Sequence, residues 1–153
     1  EDFLKEAFDT NVVSAMMLSS MAVALLEPTQ GAIVFIGSTH TRRAFPGASP
    51  YATTKAALEG LTKVMAAELG PKQIRTGCIL PGAVSTELNL RAGLFTAEQA
   101  EDRYDAVASL HALGRIGTGT EVAEGVEYLI CAEWVTGVAL EVDGGIGLGT
   151  SHF

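Results

Sequence analysis

Hydrophobic residues recur with a helical period in some parts of the chain and form short continuous runs in others. Helical spacing over residues 2–26 predicts one long helix, with a proline just after it. The same spacing returns over residues 50–69, where Ser49 is expected to cap the helix and Pro50 to lie in its first turn. Residues 31–37 are instead almost wholly apolar and rich in β-branched side chains, which predicts a central parallel strand covered on both faces.

The second half of the chain repeats this alternation. Residues 74–80 predict another strand, and the polar stretch of residues 86–113 is typical of a loop or lid with short helices. Thr120 is expected to cap a helix over residues 121–132, and residues 137–142 alternate as a last strand does. The predicted order is therefore helix, strand, helix, strand, lid, helix and strand.

Strands that alternate with helices of ten or more residues favour right-handed crossovers and a parallel sheet with helices on both faces. The fold class predicted here is α/β, a Rossmann-like doubly wound sheet of about three strands. No strand, glycine-rich loop and helix of the G-x-G-x-x-G type precedes these elements, so the sheet is expected to be incomplete. Residues 1–153 are expected to form a single, partial domain.

Composition narrows the classes of partner. Hydrophobic residues make up 48% of the 153 positions and charged residues 18%, which is enough to bury a core. A net charge of −8 would repel phosphate backbones and anionic lipid, so neither nucleic acid nor a membrane is expected as a partner. The apolar runs of the chain are interrupted by serines and are expected to be too short to span a bilayer. A small soluble molecule is the expected ligand.

The two cysteines, Cys78 and Cys131, are expected to be buried free thiols. Their separation does not match the ligand spacing of a structural metal site, so no metal is expected. Free thiols in a chain of this kind favour a reducing, cytoplasmic compartment.

Three side chains suggest chemistry. Tyr51 and Lys55 are four residues apart near the start of the second predicted helix, so their side chains point to one face. A neighbouring ammonium group stabilises a phenolate, which would allow Tyr51 to transfer a proton. Ser38 ends the first predicted strand, where the ligand-facing residues of open α/β sheets collect, and its hydroxyl could polarise a carbonyl oxygen.

The Y-x-x-x-K pair alone is a weak signal, but it occurs here together with other features in register. Asn11 and Ser38 precede Tyr51 by forty and thirteen positions, and a Pro-Gly turn follows the next strand. With the stretches GAIVFIGS, YATTK, ILPGAVSTE, GRIGTGTEVA and TGVALEVDGG, the chain resembles the classical short-chain dehydrogenases/reductases over essentially its whole length.

This resemblance implies a role for each matching residue. Tyr51 corresponds to the catalytic acid/base, Ser38 to the hydroxyl that holds the substrate, and Lys55 to the residue that stabilises the phenolate. Tyr51 and Lys55 would also bind the nicotinamide ribose. Asn11 corresponds to a helix-kinking residue whose backbone holds a water of the proton relay. The carboxamide-binding turn of the family corresponds here to Pro81, Gly82, Val84 and Thr86.

The resemblance also implies an activity. NAD or NADP would exchange a hydride with a carbonyl or secondary-alcohol carbon of a small substrate. In family members two long helices of each subunit pair into a four-helix bundle with those of another subunit. The corresponding helices here are residues 2–26 and 50–70. Both segments carry broad apolar surfaces, so a homo-oligomer, either a dimer or a tetramer, is expected.

The chain departs from the family pattern because the N-terminal half of that pattern has no counterpart in the sequence. The glycine loop for the pyrophosphate, the selector for the adenosine ribose and the Asn-Asn-Ala-Gly strand are not in the sequence. The alternative prediction is therefore a truncated, inactive fragment, or an oligomerising module that needs a complementing N-terminal half. Gly37 also replaces a serine that is frequent in the family.

Some residues leave two interpretations open. His40, Arg42 and Arg43 follow the first strand and are either solvated loop residues or substrate contacts. The predicted lid carries apolar side chains that either line a substrate pocket or pack on the sheet, namely Leu88, Leu90, Leu94 and Phe95. A hydrolase is disfavoured, since Ser38 does not lie in the G-x-S-x-G pattern of a nucleophile elbow.

Overall fold

The structure is a computed structural model that describes residues 1–86 and 104–149. Within these ranges the labelled helices are α1 (Asp2–Phe8), α2 (Ser14–Leu26), α3 (Ser49–Leu69) and α4 (Gly119–Cys131). The strands are β1 (Ala32–Ile36), β2 (Arg75–Pro81), β3 (Val84–Ser85), β4 (Gly117–Thr118) and β5 (Val138–Val142). Residues 104–108 are also helical. Much of the predicted lid, with Leu88, Leu90, Leu94 and Phe95, lies outside the described residues.

Three strands form a parallel sheet in the order β1-β2-β5, with helices packed against it. This confirms the predicted α/β class and the limited number of strands. Among the described strands β2 lies between the other two and β1 lies at the edge, so the central position of the first strand stays a prediction. The side chains of Cys78, Ile79 and Leu80 in β2 are completely buried, whereas Ile36 in β1 is 44% exposed. An apolar run indicates burial, but it does not indicate which strands pair.

The predicted first helix is continuous but not uniform. Helix α1 passes through a π-helical segment, Asp9–Val13, directly into α2. Ala15, Val23 and Leu26 pack against the core, while other apolar side chains of α2 face outward. The exposed set is Met16, Met17, Leu18, Met21 and Leu25.

The continuity of this helix corrects the expectation that its apolar runs are too short to span a bilayer. The helical stretch Asp2–Thr29 has 28 residues and a mean hydropathy of 1.5, which by length and composition alone is sufficient to cross a membrane. Its serines do not interrupt the helix. A helix that covers a sheet can be equally long and apolar, and α2 does contact β1.

Helix α3 joins the site to the core. Its buried residues recur every three or four positions, and they are Thr54, Leu58, Thr62, Met65 and Leu69. The three apolar ones, Leu58, Met65 and Leu69, pack with Phe35, Ile74, Cys78 and Leu80 into one hydrophobic core. The N-cap position is Ala48 rather than the predicted Ser49, which is the first helical residue and provides no side-chain cap.

Helix α4 begins with a capping box. The Thr118 hydroxyl accepts a hydrogen bond from the Glu121 backbone N–H, and the Glu121 carboxylate accepts one from the Thr118 N–H. The predicted cap, Thr120, is two residues too late, although the T-x-x-E pattern was present in the sequence. At the other end of α4, Cys131 is exposed rather than buried, because it lies on the outer face of the last turn; Cys78 is a buried free thiol as expected.

Candidate active site

Ser38 lies just beyond the carboxyl end of β1 in an extended conformation, and its residue is 5% exposed. Its hydroxyl caps a short 3₁₀ turn, Thr39–Thr41, by accepting a 3.2 Å hydrogen bond from the His40 backbone N–H. The Nδ1 atom of His40 lies 3.0 Å from the same hydroxyl oxygen. Both interactions fix the position of the Ser38 hydroxyl.

Tyr51 and Lys55 occupy successive turns at the start of α3. The Lys55 amine lies 5.6 Å from the centroid of the Tyr51 ring, which confirms that the two side chains share a face. Lys55 Nζ also donates a 2.8 Å hydrogen bond to the carbonyl of Ile36, two residues before Ser38. This bond ties the start of α3 to the end of β1.

Burial affects the charge of this lysine. It lowers the pKa of the Lys55 amine from its ordinary value, and the adjacent Cys78 has a smaller, opposite effect. Burial also raises the pKa of the Cys78 thiol to about 11, so the thiol is neutral at pH 7. Lys55 therefore lies in a partly desolvated position, where the charged form of its amine is less favoured than in water.

His40 belongs to the same cluster. Its ring makes an edge-to-face contact with Tyr51 at 5.2 Å between centroids and a tilted contact with Phe45 at 4.5 Å. Burial lowers the pKa of His40 below its ordinary 6.5, so the ring is mostly neutral at pH 7. His40 is thus half-buried and in contact with Ser38, Tyr51 and Phe45, and its contact with a substrate stays a prediction.

Asn11 lies in the π-helical segment, as expected of a residue at a helix irregularity. Its Nδ2 atom donates a 3.3 Å hydrogen bond to the Thr54 hydroxyl, which in turn donates a 2.8 Å bond to the carbonyl of Tyr51. Asn11 is therefore connected to the start of α3 by a short chain of hydrogen bonds.

A pocket of about 310 Å³ opens beside Asn11 and Tyr51. Its other lining residues are Phe3, Glu6, Ala7, Thr10 and Pro50. Ser38 and Lys55 do not line it, so the four predicted catalytic residues do not share this pocket. Tyr51 is 41% exposed, lines the pocket and contacts the ring of His40, which lies against the Ser38 hydroxyl.

The predicted carboxamide-binding turn runs from Pro81 at the end of β2 to Thr86. Thr39, next to Ser38, donates a 3.1 Å hydrogen bond from its hydroxyl to the carbonyl of Pro81, so the turn lies beside the serine. Val84 is in β3, which pairs with β4. Thr86 contacts the Tyr104 hydroxyl through both its backbone N–H and its carbonyl, at 3.4 and 3.2 Å.

Gly82 is required for the shape of this turn. A Cβ atom at Gly82 would lie 2.8 Å from the backbone oxygen of Asp143 and 2.9 Å from its Cα. The Gly82 N–H donates to the carbonyl of Val142 at 3.2 Å, which keeps the two backbones in contact. Gly82 thus has a packing role that the resemblance did not indicate.

Arg42 and Arg43 make structural contacts. Arg42 donates to the Glu59 carboxylate at 2.6 Å and to Glu141 at 2.7 Å, and these hydrogen bonds raise its pKa. Arg43 donates to the carbonyls of Leu110 and Ile146 at 3.4 Å. Arg42 therefore links the loop after β1 to α3 and β5, which the sequence alone did not reveal.

The site combines a Tyr-Lys pair at the start of a helix with a serine at the carboxyl end of a parallel strand. This combination is typical of an oxidoreductase domain with a Rossmann-like fold. The family model described as enoyl-(acyl carrier protein) reductase matches residues 1–147. The chain belongs to the short-chain dehydrogenase/reductase family of NAD(P)-dependent oxidoreductases.

Similar proteins support this assignment. Carbonyl reductase family member 4 of Danio rerio is 36% identical over 148 residues, which are 97% of this chain and 58% of that protein. A short-chain dehydrogenase/reductase from Serratia marcescens is 39% identical with a TM-score of 0.83, over 95% of this chain and 57% of its own. A small-chain dehydrogenase in complex with NADPH is 29% identical with a TM-score of 0.87, over 95% and 64%. The chain therefore spans little more than half the length of these relatives.

Proposed function

We propose that this chain carries the catalytic residues of an oxidoreductase that transfers a hydride between NAD or NADP and a small carbonyl compound or secondary alcohol. The observation that carries the proposal is the position of Lys55. Its amine lies 5.6 Å from the Tyr51 ring centroid and is bonded to the carbonyl of Ile36, beside Ser38. These contacts support a site in which a base, a cation and a hydroxyl donor act together where β1 ends and α3 begins.

Each side chain has a distinct role in this proposal. Tyr51 donates a proton to the carbonyl oxygen during reduction and removes it during oxidation. Lys55 stabilises the phenolate through its charge and, with Tyr51, binds the nicotinamide ribose. Ser38 donates a hydrogen bond to the reacting oxygen, which stabilises the negative charge that develops there. The backbone at Asn11 would hold a water through which Tyr51 takes up a proton from solvent during reduction and releases one during oxidation.

The residues present fit one end of the cofactor. The donors of Tyr51 and Lys55 suit ribose hydroxyls, and the backbone of the Pro81–Thr86 turn suits a carboxamide, which needs both a donor and an acceptor. The cofactor itself supplies the hydride. A pyrophosphate binds at a glycine-rich loop and helix N-terminus, for which this chain has no corresponding sequence. The chain would therefore hold the nicotinamide end.

A second candidate is a catalytically inactive module that needs a complementing N-terminal half. It is supported by β1, which pairs with β2 on one side and lies at the edge of the sheet formed by the described strands. An edge strand offers backbone donors and acceptors to another strand. Ile36 at the end of β1 is 44% exposed, which leaves apolar surface for such a strand to cover.

We also propose that the chain forms a homo-oligomer through α2 and α3. Residues of both helices pack into the same hydrophobic core, and both helices carry exposed apolar side chains, mainly Met16, Met17, Leu18, Met21 and Leu25 on α2 and Val64 on α3. An apolar surface of this breadth is rarely left in contact with water.

Cofactor titration of the isolated chain separates an active oxidoreductase from a module that needs a complementing half. The isolated chain offers two or three hydrogen bonds to the nicotinamide end, each worth about 0.5–3 kcal/mol. Their sum barely offsets the association cost of roughly 4–15 kcal/mol. We therefore expect millimolar binding at best and negligible turnover with a ketone and NADPH or NADH. Micromolar binding by the chain alone, seen as enhanced nicotinamide fluorescence, would contradict the second candidate.

A further inference from the structure

His111 is a buried histidine outside the Ser38 and Tyr51 cluster, and its residue is 1% exposed. Its Nε2 atom lies 3.2 Å from the backbone nitrogen of Ala83, in the turn between β2 and β3. Its Nδ1 atom lies 3.0 Å from the carbonyl oxygen of Val107, in the short helical segment of residues 104–108. The ring thus bridges two segments that are distant in sequence.

These two contacts determine the tautomer of His111. A backbone N–H can only donate, so Nε2 must accept the hydrogen bond from Ala83. The proton of the neutral ring is then on Nδ1, where it donates to the Val107 carbonyl, which can only accept. One N–H and one lone pair are both used, and the ring position is fixed from both sides.

The hydrogen bond from Ala83 completes the anchoring of the turn. The carbonyl of Ala83 accepts a 2.8 Å bond from the Gly117 N–H, and the N–H of Gly82 donates to Val142 at 3.2 Å. Both of these partners are backbone groups, whereas the Ala83 N–H is held by a side chain. A substitution at His111 can therefore release this one peptide group and leave the other two bonds in place.

We infer that His111 is a positioning residue for the cofactor, which acts by holding the peptide of Ala83 so that the next residue, Val84, presents its backbone to the nicotinamide carboxamide. This inference rests on the proposed function, in which the turn binds the carboxamide. His111 does not touch the cofactor in this arrangement. It contributes by preorganising the turn, which lowers the entropic cost of binding.

Two amide substitutions separate the two bonds of the ring. In His111→Gln the side-chain amide reaches the Nε2 position, so its oxygen can accept from Ala83. In His111→Asn the amide reaches only the Nδ1 position, so it can donate to Val107 but not accept from Ala83. Each variant keeps one hydrogen bond and places an amide in the buried site, so a purely structural role predicts similar losses for both.

The experiment uses the ¹⁵N-labelled chain and nicotinamide mononucleotide, which contains the nicotinamide end without the adenosine. Ring ¹⁵N shifts of the wild-type chain should show a protonated Nδ1 and an unprotonated Nε2 at His111. Hydrogen exchange at the Ala83 amide should be faster in His111→Asn than in His111→Gln. The mononucleotide should shift the Val84 and Thr86 amides of the wild-type chain, with a Kd about tenfold higher in His111→Asn than in His111→Gln, as for the loss of one well-placed hydrogen bond.

The possible failures are distinguishable. A protonated Nε2, or equal Ala83 exchange in the two variants, overturns the inference and leaves the proposed function intact. Equal mononucleotide affinity in the two variants, with unequal Ala83 exchange, shows that the turn is held by His111 but does not serve the cofactor, and this also overturns the inference. No response of the wild-type chain to the mononucleotide overturns both the nicotinamide site and the role of His111 in it. Urea unfolding of both variants identifies any general loss of structure.

Discussion

Lys55 donates a 2.8 Å hydrogen bond from its amine to the carbonyl oxygen of Ile36. This bond spans the junction between helix α3 and strand β1, and it leaves the amine 5.6 Å from the centroid of the Tyr51 ring. The backbone of the strand therefore helps to hold the cation that the proposed chemistry needs. The same hydrogen bond links the helix turn that carries Tyr51 to the strand end that precedes Ser38.

The first prediction concerns Tyr51→Phe in a full-length version of the protein that carries an upstream glycine-rich cofactor-binding unit. Removal of the hydroxyl should lower ketone reduction by about 10²–10⁴-fold, because proton transfer by a positioned group contributes that much. Cofactor binding should persist, since the other contacts remain. Stopped-flow reduction and nicotinamide fluorescence measure the two effects.

The control for this experiment is Tyr128→Phe. Tyr128 is 53% exposed on α4, so its substitution removes the same hydroxyl from a different surface. It should leave the reduction rate unchanged. A Tyr51→Phe enzyme that reduces the ketone at the wild-type rate would refute the proposed mechanism.

A second prediction concerns Gly82→Ala. The added Cβ would lie 2.8 Å from the Asp143 backbone oxygen, and a backbone atom cannot rotate away as a side chain can. The substitution should lower the free energy of unfolding by about 1–3 kcal/mol, as other overpacked sites do. Urea denaturation monitored by circular dichroism measures this loss.

Gly60→Ala is the matched substitution. Gly60 lies within α3, and apart from the nearby backbone of the helix itself nothing lies within 4 Å of the position of its missing Cβ. Alanine there should raise the free energy of unfolding by about 0.5–1 kcal/mol, because it favours the helical backbone. Equal effects of the two substitutions would show that the close approach of Gly82 to Asp143 has no energetic consequence.

The third prediction is a pH dependence that arises from Glu121. Hydrogen bonds from Arg115 and from the Thr118 backbone and hydroxyl lower the pKa of this carboxyl from its ordinary 4.5 to about 2. Because the pKa is lower in the folded chain, the charged carboxylate stabilises the fold above pH 4.5, and this contribution is lost as the pH falls through about 2.

Glu121→Gln should therefore lower the melting temperature at pH 7 and weaken the dependence of stability on pH in the acid range. Glu124→Gln, at an exposed position of the same helix, serves as the control. Thermal unfolding at a series of pH values from 7 downward provides the comparison. If the two variants show the same acid dependence, the capping box does not contribute as the structure indicates.

The fourth prediction concerns association through α2. Met21 is 73% exposed in the centre of an apolar surface that includes Met16, Met17 and Leu25. The isolated chain should be oligomeric at micromolar concentration, and Met21→Glu should shift it towards the monomer, because a charge in an apolar interface is costly to desolvate. Multi-angle light scattering measures the mass directly.

Ala123→Glu is the control for added charge, since Ala123 is exposed on α4. It should leave the oligomer unchanged. A wild-type chain that is monomeric by light scattering would count against the interface. If that monomer also cosedimented with liposomes, the apolar length of the Asp2–Thr29 helix would be explained by a membrane instead.

Local sequence patterns predicted most of the helices and strands correctly. The helical spacing of apolar residues gave α3 and the long first helix, and the short apolar runs gave β1 and β2, because each pattern reflects the period of one backbone geometry. Motif register also gave the family, through Asn11, Ser38, Tyr51 and Lys55. The caps were less well predicted: Thr120 is the wrong cap for α4, although the T-x-x-E spacing of Thr118 and Glu121 is the capping-box pattern that the structure shows.

Tertiary structure alone decided how these elements meet. Whether β1 or β2 is central depends on pairing between strands about forty residues apart, and an apolar run carries no information about its partner. His111 and Ala83 are 28 positions apart, and Arg42 and Glu141 are 99 apart, so no local pattern links either pair. Sequence thus determined which segments form helices and strands and which chemistry is available, while the packing of distant segments determined which side chains hold that chemistry in place.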